Sequence, residues 1–128
     1  MENFSTALSY FQRALQIRQK SLPSNHPYLA ITYNNIGGVY RSIGDCSTAI
    51  SYFEKALEIQ QKSLASNHPN LAMTYNNIAL VYQSMEDYLT AISYYERAIE
   101  IVQHSSLPTS HPFLHIFQKN LVEVRKKH

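Results

Sequence analysis

The sequence lacks the features that mark secreted or membrane-spanning proteins. It has one cysteine, Cys46, which excludes an internal disulfide, and no apolar run approaches the roughly 20 residues needed to cross a bilayer. Its start, MENFSTAL, has neither the basic residues nor the unbroken apolar core of a signal peptide. We therefore expect a protein of a reducing compartment, the cytoplasm, with no membrane partner.

Charge of one sign is equally scarce. Lys and Arg number 11 against 9 Asp and Glu, and the longest run of like charge is the RKK at residues 125–127. This balance indicates neither a phosphate-binding surface nor an acidic tail. Nucleic acid is therefore not an expected partner, although an RNA-binding helical repeat stays a distant alternative.

The parts of a catalytic or cofactor site are missing too. The adjacent glycines Gly37 and Gly38 fall inside a predicted helix and not in a phosphate-binding loop. No carboxylate, histidine and nucleophile stand at spacings that would bring them together. We predict that the chain is not an enzyme and holds no cofactor.

What the sequence does contain is a segment that recurs at a fixed period. SNHPNLAMTYNNIALVY at residues 66–82 occurs 42 positions earlier as SNHPYLAITYNNIGGVY at residues 24–40. An altered third copy, SHPFLHIFQKNLVEVR, occupies residues 110–125. Such periodicity predicts a protein of stacked helical repeats.

Three further segments complete the repeat. They place apolar side chains at spacings of three and four, as one face of an amphipathic helix does: residues 3–21, 45–63 and 87–103. Each starts with a residue that can cap a helix N-terminus: Asn3, Asp45 and Asp87. The recurring copies instead place a proline where a helix would begin, at Pro27, Pro69 and Pro112. Two kinds of helix are therefore expected to alternate.

The repeat resembles a known family. The aromatic, aliphatic and small residues that carry the resemblance have the spacing of the tetratricopeptide repeat signature: Tyr75, Ile78, Ala79, Tyr82, Tyr88, Ala91, Tyr95 and Ala98. The 42-residue period and the His-Pro before the first helix resemble the longer subtype found in kinesin light chains and nephrocystin-like proteins.

The resemblance implies an all-α fold, a right-handed tetratricopeptide-repeat solenoid of six antiparallel helices in pairs. In that register one domain, 1–128, is expected to contain a helix at 3–21, repeats at 27–63 and 69–104, and a capping helix at 112–126. The capping helix has Gln118 and Arg125 where the preceding repeat has tyrosines. The first helix keeps its full apolar set without a covering helix, so we expect either a longer array or pairing with another copy.

The resemblance also implies a function, the binding of a protein partner's extended peptide on the concave face. By correspondence with the family pattern, the inward positions are Ile31, Asn34, Asn35, Gly38 and Arg41, then Met73, Asn76, Asn77, Leu80 and Gln83, then Ile116, Lys119, Asn120, Glu123 and Lys126. Asn35, Asn77 and Asn120 stand at equivalent positions, where an amide can pair with a peptide backbone. A clamp that holds a ligand's carboxylate would need cationic side chains beside these asparagines. Such side chains are unevenly supplied, since only Arg41, Lys119 and Lys126 are candidates.

The adjacent asparagines have two interpretations. Asparagine is a poor helix former, so a pair in mid-helix needs an explanation. Ligand contact is the interpretation we favour for Asn35 and Asn77, and a structural hydrogen bond to a neighbouring helix for Asn34 and Asn76.

The histidines before the prolines form another series, His26, His68 and His111. Stacked helix pairs lie on the order of 10 Å apart, too far for one ion at Zn–N distances of about 2 Å. We predict that these histidines are loop or cap residues and hold no metal.

Overall fold

Six α-helices and no strand make up the part of the chain that the structure, a computed structural model, describes, residues 2–105 and 111–127. The helices are α1 (Glu2–Ser21), α2 (Pro27–Ile43), α3 (Cys46–Ser63), α4 (Pro69–Ser84), α5 (Tyr88–Gln103) and α6 (Pro112–Lys127). The all-α prediction is confirmed. Ser110, the first residue of the third sequence copy, lies outside the described residues.

The chain divides into two compact units, Met1–Leu64 and Ala65–His128. The first contains α1, α2 and α3, and the second contains α4, α5 and α6. Within each unit, helices that are neighbours in the chain pack side by side. We call α2, α4 and α6, which begin at the proline of a His-Pro pair, the A helices, and α1, α3 and α5 the B helices. The predicted grouping into one domain with two full repeats stays a prediction.

Each A helix begins at a proline that directly follows a histidine. Proline at the first helical position has no N–H that needs a partner. The histidine before it supplies a cap, since His26 Nδ1 accepts from the backbone N–H of Tyr28 at 3.2 Å and His68 Nδ1 from that of Asn70 at 3.1 Å. The cap role predicted for these histidines is confirmed.

The B helices begin differently. Asp45 accepts a hydrogen bond from the backbone N–H of Thr48 at 3.3 Å, and Asp87 accepts one from that of Thr90 at 3.4 Å. A carboxylate is well placed there, because the first-turn N–H groups have no helical partner. The cap predicted at Asn3 is wrong, because α1 already begins at Glu2 and Asn3 lies inside its first turn.

Small and large side chains alternate where the helices of a pair meet. The alanines of α3 and α5 are fully buried: Ala49, Ala56, Ala91 and Ala98. Phe53 of α3 and Tyr95 of α5 are buried beside them, at 1% and 0% exposure. Small residues let the backbones approach, and the rings fill the remaining volume. The packing holds the A helices with one face against a B helix and another face open.

Candidate functional site

The open face of α2 carries four of the predicted site residues in the first unit. Ile31 is 40% exposed, Asn35 is exposed, and Gly38 and Arg41 are half-buried. Among the described residues, neither the Asn35 amide nor the Arg41 guanidinium has a hydrogen-bond or ion-pair partner. Both groups are therefore available to a ligand. Asn34, beside them, is half-buried and already has an interaction.

In the second unit the asparagines have separate environments. Asn76 of α4 is only 3% exposed, and its Oδ1 accepts a hydrogen bond from Asn120 Nδ2 of α6 at 3.1 Å. A bond of this kind contributes about 0.5–1.5 kcal/mol net, and leaving a buried amide oxygen unpaired costs more. The geometry therefore favours the structural interpretation of Asn76. The same hydrogen bond uses the side-chain nitrogen of Asn120, so the side-chain oxygen of Asn120 is left for other contacts.

The other predicted positions of α4 differ in accessibility. Met73 and Asn77 are half-buried and retain surface at the open face. Leu80 is partly buried against the cluster of Ala79, Ala91, Tyr95, Leu121 and Val124. Gln83 Oε1 accepts a hydrogen bond from Tyr95 Oη at 2.7 Å, so this glutamine holds a core tyrosine. Met73 and Asn77 are the α4 positions with the clearest access to a ligand.

The surface of α6 is the most polar of the three A-helix faces. Lys119, Lys126 and Glu123 are exposed, and Ile116 is exposed between them. A shallow groove runs along this helix and is lined by His115, Gln118, Lys119, Val122, Glu123 and Lys126. Two cations to one carboxylate give the groove a weak positive balance.

Sequence reasoning did not find all of this groove. His115 and Val122 stand where the preceding A helix has Ala72 and Ala79, which are fully buried, and yet both are exposed in α6. The signal was present in Gln118 and Arg125, which replace two tyrosines on the same side of the helix. Arg125 is occupied, because its Nη2 lies 3.0 Å from Glu96 Oε2 of α5.

Across residues 2–105 and 111–127, no group of three or more His, Cys, Asp or Glu is arranged to hold a metal ion. No described helix is both long enough and apolar enough to cross a membrane. His111 Nδ1 accepts from the backbone N–H of Phe113 at 3.2 Å, so the third histidine is used locally like the other two.

Comparisons with known proteins agree on the repeat. The family model described as Tetratricopeptide repeat matches residues 1–62 and 48–104. A comparison with curated proteins finds no significant match.

Solved structures that resemble the chain include kinesin-light-chain-like repeats. The nearly identical TPR-like repeats of a Podosopora anserina protein assigned to the kinesin light chains share 24% identity at a TM-score of 0.83, covering 96% of this chain and 58% of that chain. BtubC (BKLC) from P. vanneervenii shares 25% identity at a TM-score of 0.88, covering 98% of this chain and 50% of that chain. The apo form of RapI shares 23% identity at a TM-score of 0.83, covering 99% of this chain and 44% of that chain. The chain thus spans about half the length of these structures.

Proposed function

Because the chain belongs to the tetratricopeptide repeat family, we propose that it binds an extended peptide of a partner protein on the open faces of its A helices. The tetratricopeptide fold is that of a protein–protein interaction scaffold, and family membership with kinesin-light-chain-like neighbours confirms the predicted repeat subtype and solenoid class.

One observation carries the proposal furthest, the environment of Asn35. This residue lies in the middle of α2, is exposed, and has no partner among the described residues. Asparagine in a helix interior is less favourable than alanine by roughly 0.7 kcal/mol. A free amide that lowers helix stability without a structural bond is well explained by contact with a ligand.

The chemistry of the amides suits a peptide backbone. Each asparagine side chain offers one acceptor oxygen and two donor hydrogens, so it can pair with a peptide C=O and N–H whatever the peptide sequence. In the first unit Asn35 is flanked by Ile31 and Arg41. In the second unit Asn77 is flanked by Met73. Each unit therefore combines an amide with apolar surface.

Charge adds a preference among peptides. Arg41 in the first unit and Lys119 and Lys126 in the second attract acidic side chains. Surface charges of this kind raise the association rate and selectivity more than the affinity, and salt weakens them. We therefore propose a ligand with apolar and acidic residues and a dissociation constant around 1 μM to 100 μM.

Two other functions compete with this one. Self-association is favoured by the exposed apolar residues of α1, Tyr10 and Ile17. RNA binding needs a surface rich in Arg and Lys, and the open faces offer mainly amides and apolar groups. We also propose that the protein acts in the cytoplasm, on the grounds of its single cysteine, and that it is not an enzyme.

The test compares two double variants. A peptide array is probed with the chain, with Asn35→Ala/Asn77→Ala, and with the matched control Asn3→Ala/Asn25→Ala, whose asparagines are exposed and lie outside the A helices. Circular dichroism establishes that all three are folded. We expect the first variant to lose binding about tenfold or more and the control to bind like the parent, as for loss of two hydrogen bonds.

Two results would contradict the proposal. One is a folded Asn35→Ala/Asn77→Ala variant that binds the same peptides with unchanged affinity. The other is an RNA oligonucleotide that binds more tightly than any peptide and whose affinity falls steeply with added salt.

A further inference from the structure

Gly38 differs from the other two glycines of the chain, because the fold gives no reason for it. Gly44 adopts a φ of 97°, where a Cβ is unfavourable, and at Gly37 an added Cβ would come within 2.7 Å of the Phe53 ring. The φ of Gly38 is not in the left-handed region. An added Cβ there would meet nothing within 4 Å beyond the adjacent residues and the backbone of α2. Glycine is nevertheless the least favourable residue of a helix interior after proline.

The second unit has a leucine at the same place. Between residues 29 and 42, α2 differs from α4 at four positions, with Ile31 for Met73, Gly37 for Ala79, Gly38 for Leu80 and Arg41 for Gln83. The change from Leu80 to Gly38 removes a whole aliphatic side chain. Leu80 is partly buried and packs against the apolar cluster of its own unit. An A helix therefore accepts a leucine side chain at this position, and the first unit does not supply one.

Gly38 lies on the open face of α2, between two side chains that are free to act. Asn35 precedes it by three residues and Arg41 follows it by three, a spacing that places residues on the same side of a helix. Among the described residues, neither the Asn35 amide nor the Arg41 guanidinium has a hydrogen-bond or ion-pair partner. Both α1 and α3 pack against α2. The gap at Gly38 is therefore present with both of these neighbours in place.

We propose that Gly38 is the specificity-determining residue of the peptide site, an assignment that rests on the function proposed above. The backbone of α2 is bare at Gly38, so a leucine-sized aliphatic side chain of the peptide can lie directly against it. In the first unit the peptide then supplies the apolar group that Leu80 supplies in the second. Removal of this apolar surface from water stabilises the complex.

The neighbouring groups fit a peptide whose side chain lies at Gly38. Residues three apart on a helix have Cβ atoms about 5–6 Å apart. A peptide backbone that pairs with the Asn35 amide therefore has an adjacent side chain within reach of Gly38. The second unit does not offer the same place, because Leu80 fills it and Gln83 accepts a hydrogen bond from Tyr95. Selection of the aliphatic side chain is thus a property of the first unit.

The test combines changes in the peptide with changes in the protein. Peptides that bind the parent on the array are made again with alanine in place of each leucine or isoleucine in turn. Fluorescence anisotropy measures their binding to the full chain and to Gly38→Leu. We expect one replacement in each peptide to weaken binding to the parent about tenfold, and to weaken binding to Gly38→Leu less than twofold. A merely structural effect of Gly38→Leu would weaken both peptides equally and leave the ratio unchanged.

Two further variants are the controls. Ser51→Leu adds the same side chain at an exposed position of α3 and should bind every peptide like the parent. Gly38→Ala adds a single methyl group and improves helix propensity. It should reduce the ratio between the two peptides by a smaller factor, and it provides the same comparison if Gly38→Leu does not fold. Circular dichroism establishes which variants are folded.

Three results would overturn the assignment of Gly38 while leaving the peptide site in place, provided that Asn35→Ala/Asn77→Ala still abolishes binding. The first is the same tenfold ratio for the parent and for a folded Gly38→Leu. The second is a parent that requires an aromatic and not an aliphatic side chain. The third is a parent that sediments as a dimer and becomes a monomer on Gly38→Leu, since a second copy would then fill the subsite. A parent that binds no peptide would overturn the proposed function and the subsite together.

Discussion

The helix pairs α2–α3 and α4–α5 have equivalent positions 42 residues apart, yet they pack through different side chains. In the first unit Phe53 lies against Gly37, where an added Cβ would come within 2.7 Å of the ring. In the second unit the corresponding residues are Tyr95 and Ala79, and the tyrosine hydroxyl donates to Gln83. The repeat conserves a small residue opposite a ring and allows both to change together.

This difference bears on the candidate site as well as the core. Gln83 holds the Tyr95 hydroxyl, whereas Phe53 has no hydroxyl to hold. The residue equivalent to Gln83 is Arg41, and its guanidinium has no partner among the described residues. A change from tyrosine to phenylalanine in the core thus accompanies a free cation at the open face of α2.

Removal of the Phe53 ring should have the largest effect. Phe53→Ala deletes a buried side chain against a position with no side chain of its own, so the cavity cannot be filled by Gly37. We expect the free energy of unfolding to fall by about 3–5 kcal/mol. Urea-induced unfolding followed by circular dichroism measures the change. A loss below about 1 kcal/mol would show that the first unit repacks, contrary to the close contact described.

Gly37→Ala is the second test, because it places the second unit's residue in the first unit. Alanine improves helix propensity by about 1 kcal/mol, but its Cβ would overlap the Phe53 ring, and overpacking costs roughly 1–3 kcal/mol. We expect a net loss of stability in urea unfolding. The triple variant Gly37→Ala/Arg41→Gln/Phe53→Tyr recreates the second unit's set and should recover part of that loss. A Gly37→Ala variant more stable than the parent would contradict the comparison.

Tyr95→Phe makes the reverse change in the second unit. It removes the hydrogen bond to Gln83, which we expect to lower the free energy of unfolding by about 0.5–1.5 kcal/mol. The matched control makes the same change in a second background, by comparing Phe53→Leu/Tyr95→Phe with Phe53→Leu. The loss of unfolding free energy caused by Tyr95→Phe should be the same in both backgrounds, because the two positions lie in separate units. An unchanged unfolding midpoint for Tyr95→Phe would mean that the hydroxyl contributes nothing.

The smallest effect is expected at the turns that end α2 and α4. Gly44 has φ 97°, and its equivalent Glu86 has φ 64°. This left-handed conformation costs a residue with a Cβ roughly 1 kcal/mol more than it costs glycine. We therefore expect Glu86→Gly to raise the midpoint of thermal unfolding and Gly44→Ala to lower it. Opposite signs at the two positions are the result to look for; equal signs would refute the equivalence.

Features that depend on neighbouring residues in the chain could be predicted from the sequence. Pro27, Pro69 and Pro112 begin the A helices and Asp45 and Asp87 cap B helices, because each of these effects acts within one helical turn. The prediction of a cap at Asn3 was wrong, because Glu2, the residue before it, is already helical. The repeat family was predictable because a 42-residue period repeats both the turn residues and the apolar faces.

The roles of individual site residues depended on contacts between helices. A structural bond was the favoured interpretation of Asn76, but only the position of α6 shows that its partner is Asn120. Gln83 and Arg41 occupy equivalent positions, and the ring of the facing helix decides which of them is held. The open groove of α6 required knowing that no described residue covers His115 and Val122.

The contacts between helices have a consequence for the rate of folding. Within each unit, helices pack against the next helix in the chain or the one after it. Few distant segments must therefore meet before stabilising contacts form, and chains with such local contacts fold in roughly microseconds to milliseconds. We expect stopped-flow refolding of this chain to be largely complete within the dead time of the instrument. The helix hairpins α2–α3 and α4–α5 should be the first structures to form.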